Sequence, residues 1–487
     1  MNHRYHFGLI KVDASAVVLV GMTHSVVLWG GSLKEENIIK PGAASGFKHI
    51  PGSSGLPLFG HTFQFISDPI KTTLKLYEKH GPVFRTNVFF LDVVNVIGPE
   101  AVKAVLADPD KNFSSKLAIE AFVKDFIGRA ILARDFEDHR YHRRIMQSAF
   151  KSGPMKTYQI RMTPHIALGL SRCEKDRYFL FHPFIKRLSL RLASEIFLGL
   201  EEGGDLDTIN AALVTMMNGA IAPIRLKIPG LAFNEGLVKR KVIADYISKL
   251  IVERRANPSM DMLSEFCNAK SEQGEQFSDS DIIDHMLFMW LAAHETTTSL
   301  LCHVMYRICQ FPEWQNRLRE ECCGIGKAAI DYEDLPKLEQ MDWVIKETLR
   351  MHPPAPLTMR TALRECEFYG YHIPANTMIS IGPGVSHFLK EFWTEPEKFD
   401  PQRFSSERAE DKSHSHAYVP FGGGAHTCIG MHFASMEAKA ILYQMLLNHS
   451  WQTPEGYDPK FTMMPIPKPK DNLPILMKDL PRRSRLH

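Results

Sequence analysis

The chain has 487 residues, 44% apolar and 23% charged, the composition of a globular protein long enough to bury a large core. With 58 basic and 55 acidic residues the net charge is +3. The one dense cationic run is the tail Pro481-Arg-Arg-Ser-Arg, so nucleic-acid binding is excluded. Eight cysteines include no C-x-x-C pair, which excludes a disulfide framework and suits a reducing, cytoplasmic setting.

Residues 14–31 form an apolar run broken by Thr23, His24 and Ser25. A membrane-spanning helix wants about 20 predominantly apolar residues. Residues 1–45 are therefore read as an N-terminal extension or a membrane anchor, and 46–487 as one domain. Pro51 to Pro57 is a turn-rich hinge. Residues 83–97 read as a hairpin about Leu91-Asp92, closed by Gly98-Pro99, which starts a short helix. Residues 113–130 lack clean periodicity and read as a loop lining a site. Asp135 to Phe150 reads as a helix with His139 and Arg143 on one face and Arg140 and Arg144 outward. Residues 155–270 read as helices, with 221–230 as a Pro/Gly-bounded connection of mixed apolar and cationic residues.

Ser278 is an N-cap with Asp281 three residues on, and Pro312 breaks the far end. About 30 helical residues lie between, roughly 45 Å. The middle reads Ala292-Ala-His-Glu295-Thr296-Thr-Thr-Ser299. Four consecutive hydroxyl residues inside a helix compete for its backbone groups, and a local rule broken in a strong element points to function. Glu347 and Arg350 then share a helix face, followed by Met351-His-Pro-Pro-Ala-Pro356. Arg360 falls in a strand, Cys366 to Pro374 reads as strand, turn, strand, and Phe399-Asp-Pro-Gln-Arg403-Phe404 brings a second arginine. Last comes Phe421-Gly-Gly-Gly-Ala-His426-Thr-Cys428-Ile-Gly430, a glycine-rich turn before an apolar, buried helix. Glycines free this backbone to take positive φ, and the helix N-terminus favours a thiolate at Cys428. Read by itself, Cys428 is also compatible with a buried cysteine in a tight turn.

Phe421, Gly422, Gly424, His426, Cys428 and Gly430 resemble the haem-binding loop of the cytochrome P-450 family, the haem-thiolate monooxygenases. Family features run in order from about Pro51 to Leu447. The resemblance implies a mainly α fold: one large cytochrome P-450-type domain with a smaller β-rich lobe and a long central helix crossing over the haem. It implies haem b with Cys428 as the axial metal ligand. Ala292 to Thr296 resembles the oxygen-activation motif, making Glu295 the proton relay and Thr296 the partner of bound dioxygen, with Ala292 against the haem face. Ala293 departs from the usual glycine. His139 stands where the family has tryptophan; with Arg143, Arg360 and His426 it would hold the haem propionates. Glu347, Arg350 and Arg403 would form a buried triad under the haem. Pro356, Leu357 and Thr358, with Ala292 and Thr296, would face substrate, and 221–230 would cover its entrance.

The implied activity is insertion of one atom of dioxygen into a C–H bond of a lipophilic lipid, terpenoid or steroid-like substrate. The wording of the cysteine loop and Met359-Arg360 resembles the sterol-demethylase and retinoid-hydroxylase side. Glu295, however, stands where sterol demethylases have histidine. Electrons would come from a separate donor, a ferredoxin with its reductase or a flavoprotein reductase, docking near Arg140, Arg144 and Lys439. A monomer, cytoplasmic or membrane-associated through residues 14–31, is expected. Three alternatives stay open: a haem-thiolate isomerase or dehydratase on the same fold, a non-catalytic haem or lipid carrier, and a zinc protein using Cys428, His414, His416, His426 and His432.

Overall fold

The computed structural model describes residues 49–200, 203, 205–271 and 274–481. The apolar run 14–31, the boundary at residue 45 and the tail beyond Pro481 lie outside the described residues. Among the described residues no helix is long and apolar enough to cross a membrane. The fold is mainly helical with a smaller β-rich part, as expected.

The main sheet runs in the order Gly52–Ser53, Val83–Val88, Leu91–Val96, Met378–Ile381, Thr358–Ala362 and Phe113–Ser114. The first and third neighbour pairs in that order are parallel, the others antiparallel. Arg360 thus sits in a strand paired on both sides, not on an edge.

Two expectations fail locally. Val88 pairs with Leu91, so the hairpin turns at Phe89 and Phe90, with φ of 52° and 64°. Left-handed values at both positions suit a tight two-residue turn. Two phenylalanines carry no turn signature, and the polar Asp92 drew the expectation one step too far; it instead accepts a cross-strand bond from Asn87 at 3.0 Å. The supposed loop at 113–130 contains a helix, Ser115–Ile127. The Ser114 hydroxyl caps it, accepting the Leu117 N–H at 3.0 Å, and Gly128 ends it at φ 54°. Ala118, Phe126 and Ile127 are buried while Ile119 and Val123 are only partly covered. That mixed coverage blurs the helical period.

The long helix is Asp279–Gln310, 32 residues, about 48 Å. Ser278 caps it by accepting the Asp281 N–H at 3.2 Å. Every residue from Thr297 to Tyr306 is buried, so this half is wrapped on all sides by the core. Just before it, Ala292, Ala293, Glu295 and Thr296 are only half-buried, so open space passes this part of the helix. The helix Phe181–Leu198 packs beside the long one. The final helix, Met431–Asn448, is buried without a break from Met436 to Leu447.

The 221–230 connection joins helices Leu206–Ala220 and Ala232–Ala256. These cross so closely that a Cβ on Gly219 would lie 2.7 Å from the Cα of Gly236. Arg225 reaches Asp125 at 3.5 Å and stands 4.8 Å over Phe233, tying the connection to the Ser115–Ile127 helix.

Candidate functional site

The cysteine turn is held by the Cys428 N–H, which donates to the Phe421 carbonyl at 2.9 Å. Gly422 and Gly424 take φ of 70° and 62°. Gly423 and Gly430 do not use the left-handed region. A side chain at Gly424 would put Cβ 1.7 Å from the Leu106 carbonyl oxygen, so glycine lets the turn lie against the Pro99–Ala107 helix. The final helix begins at Met431, later than the expected start at Cys428.

Cys428 is exposed, yet protein surrounds it closely enough for burial to push its thiol up. The two observations agree if the sulfur faces an internal hollow instead of the outer surface. The Gly430 N–H and the Arg143 charge oppose the shift without overcoming it. The expected thiolate is therefore not the preferred form of the bare site; a bound metal cation would deprotonate the thiol.

Beside the sulfur stand four cationic or N–H-bearing groups from three elements. His139 and Arg143 come from the helix Phe136–Met146, Arg360 from its strand and His426 from the cysteine turn. The His139 and His426 rings lie 3.9 Å apart. Burial, then the charges of Arg143 and Arg360, drives His139 down to about 4. Burial, then His139, Arg360 and Arg143, drives His426 to about 2. Arg360 is buried and donates to its neighbour's Met359 carbonyl at 2.8 Å. Among the described residues neither arginine is in a salt bridge with a carboxylate, although the charges of Asp135 and Asp108 reach Arg360, and the buried His139 Nδ1 has no partner there. Buried cations normally come paired. These four line a cleft of about 460 Å³, along with Lys111, Arg140, Arg144 and one carboxylate, Asp108. The donor set fits a planar group bearing two carboxylates, with a soft metal centre at the sulfur: haem.

On the long helix, the Thr296 hydroxyl donates to the Ala292 carbonyl at 2.8 Å. Glu295 turns toward the Phe181–Leu198 helix, where the Lys186 ammonium holds its carboxylate. Burial would raise Glu295, but His294 and Lys186 outweigh it and hold the carboxyl below its ordinary range. Lys186 belongs to no motif, and no local pattern marks it.

Glu347, Arg350 and Arg403 converge, all buried. Arg350 grips both oxygens of Glu347 at 2.7 and 2.9 Å, and Arg403 Nε donates to Oε1 at 3.0 Å. The Asp400 N–H adds a fourth bond at 2.9 Å, and Glu410 takes the other side of Arg403 at 2.7 Å. Every charge is therefore compensated, the condition for a buried ion cluster to persist. Asp400 and Glu410 were not expected. Pro356 is buried beneath Gly384, while Leu357 and Thr358 remain half-buried.

Two further expectations change. Lys439 is buried, bonded to the Leu335 carbonyl and Asp342 at 3.2 Å each, so it cannot serve a docking partner; Arg140 and Arg144 do face outward. The five side chains of the zinc alternative do not gather. His414 pairs with Glu100 at 2.7 Å, and among the described residues no three His, Cys, Asp or Glu converge as metal ligands.

A family model described as Cytochrome P450 matches residues 50–477. The chain is 34% identical to the putative cytochrome P450 136 of Mycobacterium tuberculosis, covering 91% of each. It is 27% identical to the taxane 10-beta-hydroxylase of Taxus cuspidata, over 87% of this chain and 88% of that one. The solved structure of retinoic acid-bound cyanobacterial CYP120A1 superposes with a TM-score of 0.80 at 26% identity, covering 88% of this chain and 99% of that one.

Proposed function

The chain belongs to the cytochrome P450 family, and from that premise we propose that Cys428 is the axial ligand of a haem used to hydroxylate a lipophilic, isoprenoid-type substrate. The family makes it a haem-thiolate monooxygenase. What bound haem supplies is activation of dioxygen, with electrons that family members generally take from separate donors, and transfer of one oxygen atom to a C–H bond.

The chain's own residues do the rest. Cys428 would give the iron its thiolate. Arg143, Arg360, His139 and His426 would bind the two propionates, and their convergence around the cysteine turn, with neither arginine in a salt bridge to a carboxylate among the described residues, is the observation that carries the reading. Glu347, Arg350 and Arg403 would fix the strand of chain beneath the cofactor. Ala292 would flank the haem face, and Thr296 would accept or donate at bound dioxygen. Glu295 would pass protons inward from solvent. Pro356, Leu357 and Thr358 would bound the substrate space, with 221–230 as its cover and Arg225–Asp125 as the tie holding that cover down. Residues 46–487 would form this one domain.

An isoprenoid substrate is supported by the relatives' chemistry: a taxane in one and retinoic acid in another. A ferredoxin or flavoprotein reductase would approach the cleft side through Arg140 and Arg144. Exposed Ile221, Ile224 and Ile228 in the 221–230 connection support a peripheral membrane contact of a monomer.

The deciding measurement is the absorption spectrum of the reduced, carbon-monoxide-bound protein. The red-shifted band of thiolate ligation should be present, be lost in Cys428→Ala and persist in Cys366→Ala. A reduced spectrum without that band would overturn the ligand assignment. Turnover of a terpenoid panel that needs both reductant and dioxygen would separate hydroxylation from isomerisation or carriage.

A further inference from the structure

Between Ala293 and Glu295 lies His294, which no step so far uses. Its imidazole is fully buried, and neither ring nitrogen has a hydrogen-bond partner among the described residues. A polar ring stranded in a core is costly unless some state of the molecule satisfies it. Its Nε2 lies 3.6 Å from Glu295 Oε1, just beyond hydrogen-bond reach. The same carboxylate oxygen is held by Lys186. Lys186 and Glu295 keep 28% and 19% of their side-chain exposure, while His294 keeps none. Glu295 therefore stands between a wet partner and a dry one.

The two partners differ in what they tolerate. An ammonium has donors only, so it holds Glu295 as the carboxylate. A neutral imidazole donates to a carboxylate or accepts from a carboxylic acid, according to its tautomer. A proton carrier must pass through both states. Thr296 is not the partner of Glu295 in this structure, where its hydroxyl donates to the Ala292 carbonyl at 2.8 Å.

We propose that His294 is a positioning residue for proton delivery: it receives the Glu295 carboxyl group when that group leaves Lys186. This rests on the reading of Glu295 as the proton relay. Glu295 would take a proton from water at the Lys186 edge, turn inward as the acid against His294, release the proton on the inner side of the long helix and return as the carboxylate. His294 gains and loses nothing over the cycle. The other titratable groups around the pair are His182, one turn before Lys186, with Lys468 and Cys302.

The test uses the holoenzyme with its electron donors, first checked for the thiolate-type carbonyl band. Peroxide released per electron pair measures failed proton delivery. His294→Phe should raise the peroxide-to-product ratio about ten-fold or more, and His294→Gln, which keeps a donor and an acceptor, should restore it to within about two-fold. Isotope-edited infrared spectra of the carbonyl form, assigned with Glu295→Gln, give a readout apart from turnover. The Glu295 carboxyl titration should move away from that of the parent in His294→Phe and to higher pH in Lys186→Met. If Glu295→Gln uncouples the enzyme while His294→Phe leaves coupling and the carboxyl titration as in the parent, the role of His294 is refuted and the relay stands. If Glu295→Gln itself stays coupled, the relay reading fails and this proposal with it. Should His294→Phe not fold, an unmoved carboxyl titration in Lys186→Met would equally refute the two-partner arrangement.

Discussion

His387 and Val419 are joined by a 3.2 Å hydrogen bond in which the Val419 N–H donates to Nε2. The other ring nitrogen, Nδ1, donates to the Arg350 carbonyl at 3.0 Å. One neutral imidazole thus connects the triad helix Glu339–Met351 to the chain two residues before the cysteine turn. Arg350 closes the loop by donating to the His387 carbonyl at 2.8 Å. Replacing His387 with Phe would leave a buried N–H and a buried carbonyl unpaired, at about 1–3 kcal/mol each. Denaturant unfolding of holo His387→Phe should show a loss in that range, and haem should dissociate faster. A variant as stable as the parent would show that the link does not support the turn.

The triad makes a sharper demand. Glu347→Gln removes the negative charge shared by Arg350 and Arg403, leaving the buried Arg350 with a neutral partner and Arg403 with Glu410 alone. Breaking a buried pair in this way costs about 3–5 kcal/mol, a large part of a domain's whole stability. Expression of Glu347→Gln should give mostly insoluble or haem-free protein. A soluble, fully haem-loaded variant would contradict the role of the cluster.

How far the sequence could carry this site follows from what fixes each residue. Cys428, Glu347, Arg350 and Arg403 lie in short local patterns, and the structure brings the last three together as those patterns imply. Ser278 and Pro312 bracketed the long helix because caps and breakers act locally. Lys186, Glu410 and His387 were not legible. Lys186 and His387 meet their partners through tertiary packing, 109 residues away for Lys186 and Glu295, and Glu410 lies seven residues from Arg403 in an irregular stretch where no helix or strand spacing marks the pairing. Phe89-Phe90 and the Ser115–Ile127 helix were misread for a related reason. Two phenylalanines carry no turn signature, and the uneven coverage of the helix blurs its period. Lys439 misled because a lysine is presumed exposed, whereas Asp342 draws this one inside.

Buried neutral histidines set the acid limit of the fold. Burial pushes His303 down to about 4 and His387 to about 3. An unfolded histidine titrates near 6.5, so between those values the unfolded chain binds protons that the folded chain refuses. Stability is full above about pH 6.5 and falls as pH drops toward 4, by up to about 3 kcal/mol for His303. His303 is stacked against His352 and Phe461 at 4.5 Å each, so phenylalanine preserves its packing. His303→Phe should lose less melting temperature than the parent between pH 7 and 5. Parallel curves would mean that His303 does not stay neutral in the fold.

The propionate clamp predicts a graded loss of cofactor. Arg360→Met removes a buried guanidinium that makes no salt bridge among the described residues and feels Asp135 and Asp108 only through their charge, so the bare fold should lose little stability. Haem affinity should fall, because a charge-assisted hydrogen bond contributes about 1.5–3 kcal/mol. Transfer of haem to excess apomyoglobin should then be about ten-fold faster or more. His139→Trp keeps a ring N–H and should transfer haem within a few-fold of the parent. Equal transfer rates for Arg360→Met and the parent would remove Arg360 from the clamp.

Glu437 runs opposite to the histidines. It lies in the buried part of the final helix, and its carboxyl has one partner, the Ser189 hydroxyl, which donates at 2.6 Å. Burial raises it to about 7, with the Ser189 bond opposing. Its folded value lies above the unfolded value of about 4.3. The stability it contributes is therefore complete below pH 4.3 and is lost as pH rises through 7. Glutamine keeps the shape and the acceptor without ever charging. Glu437→Gln should match the parent near pH 5 and exceed it at pH 8.5, by an amount on the order of 2 kcal/mol. Unfolding curves of the two proteins at both pH values test this. A glutamine variant no more stable than the parent at pH 8.5 would mean that Glu437 is ionised in the fold well below pH 7, held by a partner stronger than Ser189.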